Sequence, residues 1–117
     1  MGAKTFEELR AWQCATELSD RVVAICETPA LQRDFTFRNQ LRDAAQSAAR
    51  LIAEGFGRWG HREFAHYLSM ARSEIFELRT DLLALQRRET LPAEVVADLL
   101  TLSELTARTI GRLRSSL

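Results

Sequence analysis

Three features of the sequence predict an all-α chain folded as an antiparallel up-down-up-down four-helix bundle. Apolar residues recur at alternating steps of three and four through four long segments. Only two prolines and five glycines occur in 117 residues, and that scarcity of chain breakers favours long helices. The connections left between the segments are short, which makes consecutive helices antiparallel neighbours.

The first segment carries Ala11, Ala15, Leu18, Val22 and Ile25, with Phe6 and Leu9 leading in. It predicts a helix over 6–27, stopped by Thr28-Pro29 because proline lacks the N–H that a helix interior needs. Between Phe35 and Glu54 the stripe Phe37, Leu41, Ala44, Ala48 and Leu51 repeats the spacing, and Ala45 and Ile52 widen it to the arc a core requires. Its end is expected at Gly55-Phe56-Gly57, where a glycine takes the left-handed conformation cheaply. Phe64, Leu68, Ala71, Ile75, Leu78, Leu82 and Leu85 then alternate without a break, so a third helix runs from an N-cap at Gly60 to Arg88, with Glu63 placed to reach back to the cap. Leu91-Pro92 opens the fourth, with Pro92 in its first turn and Val95, Leu99, Leu102, Ile110 and Leu113 on its apolar face.

The chain is 46% apolar and 27% charged, the composition of one folded domain spanning residues 1–117. Sixteen basic against sixteen acidic residues give zero formal net charge, which excludes a simple polycation and confines any nucleic-acid contact to a local patch. No apolar run approaches the roughly 20 residues of a membrane span, and the start carries no basic segment followed by an apolar one. A cytoplasmic protein without membrane attachment is expected. Cys14 and Cys26 lie twelve positions apart on one predicted helix, roughly 18 Å at 1.5 Å per residue, too far for a disulfide.

Catalytic chemistry finds little support. The only imidazoles are His61 and His66, and no serine or cysteine sits in a nucleophile motif. Five positions on a helix place those histidines about 140° apart around the axis, so they share no ligand face, and no di-iron or zinc-helix spacing appears. A non-enzymatic protein with no cofactor and no metal is expected. Gly55-Phe56-Gly57 follows a helix rather than a strand and lacks the lysine of a phosphate loop; Glu54, Gly55 and Gly57 therefore read as turn residues. The spacing of Glu54 and Arg58 favours a turn-stabilising ion pair.

Charge is uneven all the same. From Leu31 to Arg62 the basic residues Arg33, Arg38, Arg42, Arg50, Arg58 and Arg62 outnumber Asp34, Asp43 and Glu54. Arg38, Arg42, Arg50, Arg58 and Arg62 are the candidate contacts to nucleic acid or to a protein partner, with Phe56, Trp59 and His61 among the last of them. Arginine beside exposed aromatics suits single strands, and it equally suits a protein interface. Trp12, Val23, Tyr67, Met70, Phe76, Leu83, Val96 and Leu100 lie off the core stripes, so a second apolar surface and self-association are expected, with Trp12, Phe56, Trp59, Phe76 and Leu83 as interface candidates.

Four stretches carry a resemblance: Phe6 to Gln13 (Phe-Glu-Glu-Leu-Arg-Ala-Trp-Gln), Gln40 to Ser47 (Gln-Leu-Arg-Asp-Ala-Ala-Gln-Ser), Ile52 to Arg58 (Ile-Ala-Glu-Gly-Phe-Gly-Arg), and Glu63-Phe64 through Glu77-Leu78. Together they resemble the four-helix-bundle proteins encoded in intervening sequences of bacterial 23S ribosomal RNA genes. The resemblance implies a helical bundle assembled as a homopentamer, with a molecular function that the family name does not state. Relatives of that shape serve retroelements by binding reverse transcriptase and nucleic acid through a basic surface, which makes RNA or another nucleic acid the implied partner. The matching positions are Trp12, Gln40, Arg42, Ser47, Glu54, Gly55 and Arg58. The chain departs from the pattern at Leu51, where asparagine is usual, at Ala71-Arg72-Ser73-Glu74, and at Gly60, where a Ser or Thr cap is usual.

Overall fold

A computed structural model describes residues 2–117, and the regular elements among the described residues are all helices, with no strand. A single 3-10 turn, Phe6–Glu8, precedes α1 (Arg10–Cys26); α2 (Pro29–Gln32), α3 (Phe35–Phe56), α4 (His61–Arg88) and α5 (Ala93–Ser115) follow. The four long helices pack as a bundle in which α1 touches α3 and α5, and α4 touches α3 and α5. Leu18, Val22, Leu41, Ile52, Leu68, Ile75, Leu78, Leu82 and Ile110 fill the centre with essentially no exposed surface. At about 1.5–3 kcal/mol for each fully buried large aliphatic side chain, these stripes hold the helices together.

The predicted first helix is broken. Leu9 is extended (φ −72°, ψ 125°) and separates the 3-10 turn from α1. The break lets Phe6 fold back edge-on to Trp12 at 5.3 Å and lets Gln13 Nε2 donate to the Glu7 carbonyl at 2.9 Å. The connection after α1 holds one further helical turn, α2, with Pro29 at its first position, where the missing N–H costs nothing. Asp34 caps α3 by accepting from the Phe37 N–H at 3.1 Å, and its other oxygen takes a bond from Arg88 of α4, whose guanidinium lies 4.0 Å over the Phe37 ring.

The glycines between α3 and α4 act differently from the expectation. Gly57 ends α3 with a right-handed φ of −77°, its N–H bonded to the Ala53 and Glu54 carbonyls, and the left-handed residue is Gly60 at φ 92°. Glu63 makes no bond back to Gly60 among the described residues. Gly55 is buried inside α3, where a Cβ would stand 2.5 Å from the Tyr67 Cβ of α4. Close helix approach, not a turn, demands glycine there. At the far end of α4, Glu89 is left-handed without being glycine (φ 56°), a conformation costing a side-chain-bearing residue roughly 1–2 kcal/mol.

On α5 Leu99, Leu102 and Ile110 are buried as expected, whereas Leu113 is half-exposed and the first position of the face differs. Val96 is buried while Val95 is half-exposed, and Pro92 stands just before the helix as its cap residue. Ser103 and Thr106 are fully buried within the stripe. Their hydroxyls donate to the Leu100 and Leu102 carbonyls at 2.7 and 2.8 Å, which satisfies the burial of polar groups.

Gly55→Ala tests the close approach. Helix propensity alone would stabilise by about 1 kcal/mol, but the added methyl overpacks the α3–α4 contact at a cost of about 1–3 kcal/mol. A lower urea midpoint is expected, and Tyr67→Ala will not restore it, because alanine keeps the Cβ that clashes.

Candidate functional site

The turn between α3 and α4 forms one tip of the bundle. Gly57 closes α3, Gly60 reverses the chain, Arg58 and Trp59 project between them, and His61 and Arg62 open α4. Trp59 is 95% exposed, which is unusual for the largest apolar side chain. Arg58 turns back onto Tyr67, donating to its hydroxyl with the guanidinium 4.9 Å over the ring. The expected Glu54–Arg58 pair is absent from the ion pairs of the described residues, because α3 ends between the two and the four-residue spacing no longer lies on continuous helix. His61 and Arg62 are exposed beside Trp59, and Phe56 is half-buried edge-on to Phe64 at 6.0 Å. Leu9, Phe56, Arg58, His61 and Phe64 line a cleft of about 470 Å³ under the tip.

The five candidate arginines do not form one patch. Arg38 donates to the Cys26 carbonyl at 3.3 Å and to Asn39 Oδ1 at 3.0 Å, so it ties α3 to α1. Arg42 lies on the same side, its charge acting with that of Arg38 on the buried Cys26 thiol, whose pKa is nevertheless raised by burial. Arg50 is exposed and donates to Ser47 Oγ at 3.4 Å. Arg58 and Arg62 stand at the tip, roughly 30 Å along the bundle from Arg38 at 1.5 Å per residue. Trp12 and Phe56 pack partly against the core, whereas Phe76 and Leu83 remain 46% and 41% exposed on α4. Val96, set outside the core by its spacing, is buried in it.

Gln40 and Asp81 make a site that spacing alone does not reveal. Gln40 Nε2 donates to Asp81 Oδ1 at 2.9 Å across the α3–α4 seam. Asp81 is only 5% exposed, and its Oδ2 is buried without a partner among the described residues. Glu77 one turn away adds like charge. Burial first, then Glu77, push the Asp81 carboxyl pKa up, against the Gln40 bond that lowers it. Glu74, further along the same face, is raised as well, by burial and then Glu77, with Arg50 opposing. One side of α4 is thus an acidic stripe at the spacing i, i+3, i+7.

The other side of α4 is basic. Arg72, Phe76, Arg79 and Leu83 follow at i, i+4, i+7 and i+11. Arg79 donates to the Leu100 carbonyl and Ser103 Oγ of α5, at 2.9 and 2.8 Å, and Arg72 lies 4.8 Å over Phe76. Beyond them Arg108, Arg112 and Arg114 of α5 line the same side. The spacing of Arg108 and Arg112 signals a shared face, but their meeting with Arg72 depends on how α4 and α5 pair. Among the described residues no group of three or more His, Cys, Asp or Glu is placed to hold a metal ion, and no helix is long and apolar enough to cross a membrane.

Ionised Asp81 opposes folding, since a folded-state pKa above the ordinary value near 3.8 gives a contribution present at low pH and lost as pH rises through the raised value. Asp81→Asn keeps an acceptor for Gln40 and removes the charge. Its urea midpoint will exceed that of the unsubstituted chain at pH 7, and the gap will close as pH falls toward 4.

Comparison with known proteins adds one finding and one negative. No curated protein matches the chain. The family model described as 23S rRNA-intervening sequence protein matches residues 7–112, which takes in the 3-10 turn from its second residue, all the helices up to the last turn of α5, the tip and the Gln40–Asp81 seam. The chain belongs to the 23S rRNA-intervening sequence protein family.

Proposed function

We propose that the protein is a non-enzymatic, self-associating adaptor that contacts single-stranded RNA through the tip between α3 and α4. Trp59 carries the proposal: it is 95% exposed, no core position needs it, and Arg58, His61 and Arg62 surround it. An exposed indole offers a base a stacking face, and adjacent guanidinium groups neutralise the phosphates on either side. Tyr67 supports the arrangement by holding Arg58 at the base of the tip.

The bundle that presents this tip is an antiparallel up-down-up-down four-helix bundle. Pairs at both ends of the α3–α4 seam support the opposed directions, Gln40 with Asp81 and Gly55 with Tyr67. A homopentamer in a bacterial cytoplasm is the form that goes with this function, since five copies of a modest basic tip create a field and an avidity that one copy lacks. Phe76 and Leu83, two turns apart and both exposed, favour self-association. They also favour a second reading, a homo-oligomeric protein scaffold without nucleic acid, in which Trp59 anchors a protein partner.

Titration with a short single-stranded RNA at low salt separates the two. Binding is expected to quench Trp59, the other indole, Trp12, being half-buried. Trp59→Ala should weaken binding by about 1–3 kcal/mol, and undiminished binding by that variant, or no binding at all, leaves only the scaffold. Self-association is checked apart from RNA, by sedimentation at micromolar concentration: a species several times the 13.3 kDa chain mass is expected, and monomer alone contradicts it.

A further inference from the structure

We infer that the groove between α4 and the last turns of α5 is a binding site for condensed phosphate groups, the kind of chain found in inorganic oligophosphate or in the polyphosphate of a nucleotide. The site is distinct from the tip and goes beyond the RNA reading.

The groove is a cleft of about 830 Å³ lined by four arginines, Arg72 from α4 and Arg108, Arg112 and Arg114 from α5. Ser69 and Ser73 add hydroxyls from the α4 wall, and no carboxylate lines the cleft. The nearest acidic side chain along α5, Glu104, lies in the adjoining hollow, whose wall includes Arg72 and Arg108 as well as Phe76 and Arg79. The three ion pairs of the described residues involve Arg21, Arg38 and Arg88, so none neutralises a groove arginine.

A helix C-terminus attracts cations, and that alone accounts for Arg112 and Arg114 in the last turn of α5. It does not account for Arg108, which lies earlier, or for Arg72 on another helix. The magnitudes also decide the sign of the groove: the α5 carbonyl end supplies roughly half a negative charge, against four unit positive charges.

Gly111 is the second observation. It sits inside α5, where glycine costs about as much helix propensity as any residue but proline, yet its φ is not positive and a Cβ there would meet only Arg72 Nε, at an ordinary 3.8 Å. Neither backbone nor packing requires glycine. Its effect is to leave the floor of the cleft open beneath the Arg72 guanidinium, which Phe76 steadies from the other side.

The ligand class follows from what the cleft contains and lacks. Planar guanidinium forks recognise phosphate oxygens two at a time, and four of them in one cleft match charge more concentrated than one phosphate per nucleotide. No aromatic ring lines the cleft, so a base would find nothing to stack on, in contrast to the tip.

The test is calorimetric titration of the full chain with inorganic tripolyphosphate at constant ionic strength. Saturable binding is expected, weakened at least about tenfold in Arg108→Ala/Arg112→Ala, which removes two charge-assisted contacts, and unchanged in Arg62→Ala at the tip. Both variants alter exposed side chains, and circular dichroism confirms that they fold. A nucleoside triphosphate that competes with tripolyphosphate identifies nucleotides as a source of the ligand; one that does not identifies the free oligophosphate. The proposal is overturned if tripolyphosphate does not bind, if inorganic sulfate at equal ionic strength displaces it, or if Arg62→Ala weakens it as much as the double variant. Loss of RNA binding in Trp59→Ala with tripolyphosphate binding intact would separate the two sites.

Discussion

The close approach of α3 and α4 is the constraint on which the rest of the structure depends. Along α3 Ala44, Ala45, Ala48 and Gly55 are all buried, and the last has no room for even a methyl group against Tyr67 of α4. Small residues let the backbones draw together, and proximity fixes register. With Gly55 against Tyr67 at one end of the pair, Gln40 comes opposite Asp81 at the other, and the hydrogen bond forms there. The same contact places Tyr67 under Arg58, so the orientation of the tip is set by the helix pair beneath it. A substitution in the seam would therefore alter the presentation of Trp59 without touching it.

The number and order of the long helices were legible because each carries its own period, and Phe64 to Leu85 on α4 satisfy it without exception. Positions that pair distant segments were not legible. Gly55 looks like a terminator until Tyr67 is known to face it. Asp81 looks like one solvated carboxylate among sixteen acidic residues until α3 covers it. Leu9 sits in an unbroken apolar pattern, yet its backbone is extended because the edge-on Phe6–Trp12 contact and the Gln13 bond compete with continuous helix. In α5, Ser103 and Thr106 hide the core face from a count of apolar residues, since hydroxyls bonded to the preceding turn occupy the stripe as readily as aliphatic groups.

Charge shows the same limit more sharply. The arginines from Arg38 to Arg62 are neighbours along the chain, but a helix spreads linear neighbours over its length and around its axis, so Arg38 is consumed as a strut between α3 and α1 while Arg62 stands free at the tip. The groove arginines are remote in sequence, Arg72 lying 36 positions before Arg108, and helix pairing brings them together. A composition window along the chain finds the first set and misses the second.

Zero net charge is thus a sum over separated faces. Helix α4 makes the separation directly, with Glu74, Glu77 and Asp81 toward α3 and Arg72 and Arg79 toward α5. Asp81 is covered by α3, so the acidic side presents Glu77 and the half-exposed Glu74 to solvent, while the basic side also carries the exposed Phe76 and Leu83. The two sides of one helix thus differ both in sign of charge and in apolar exposure, and a sum over the chain averages that difference away.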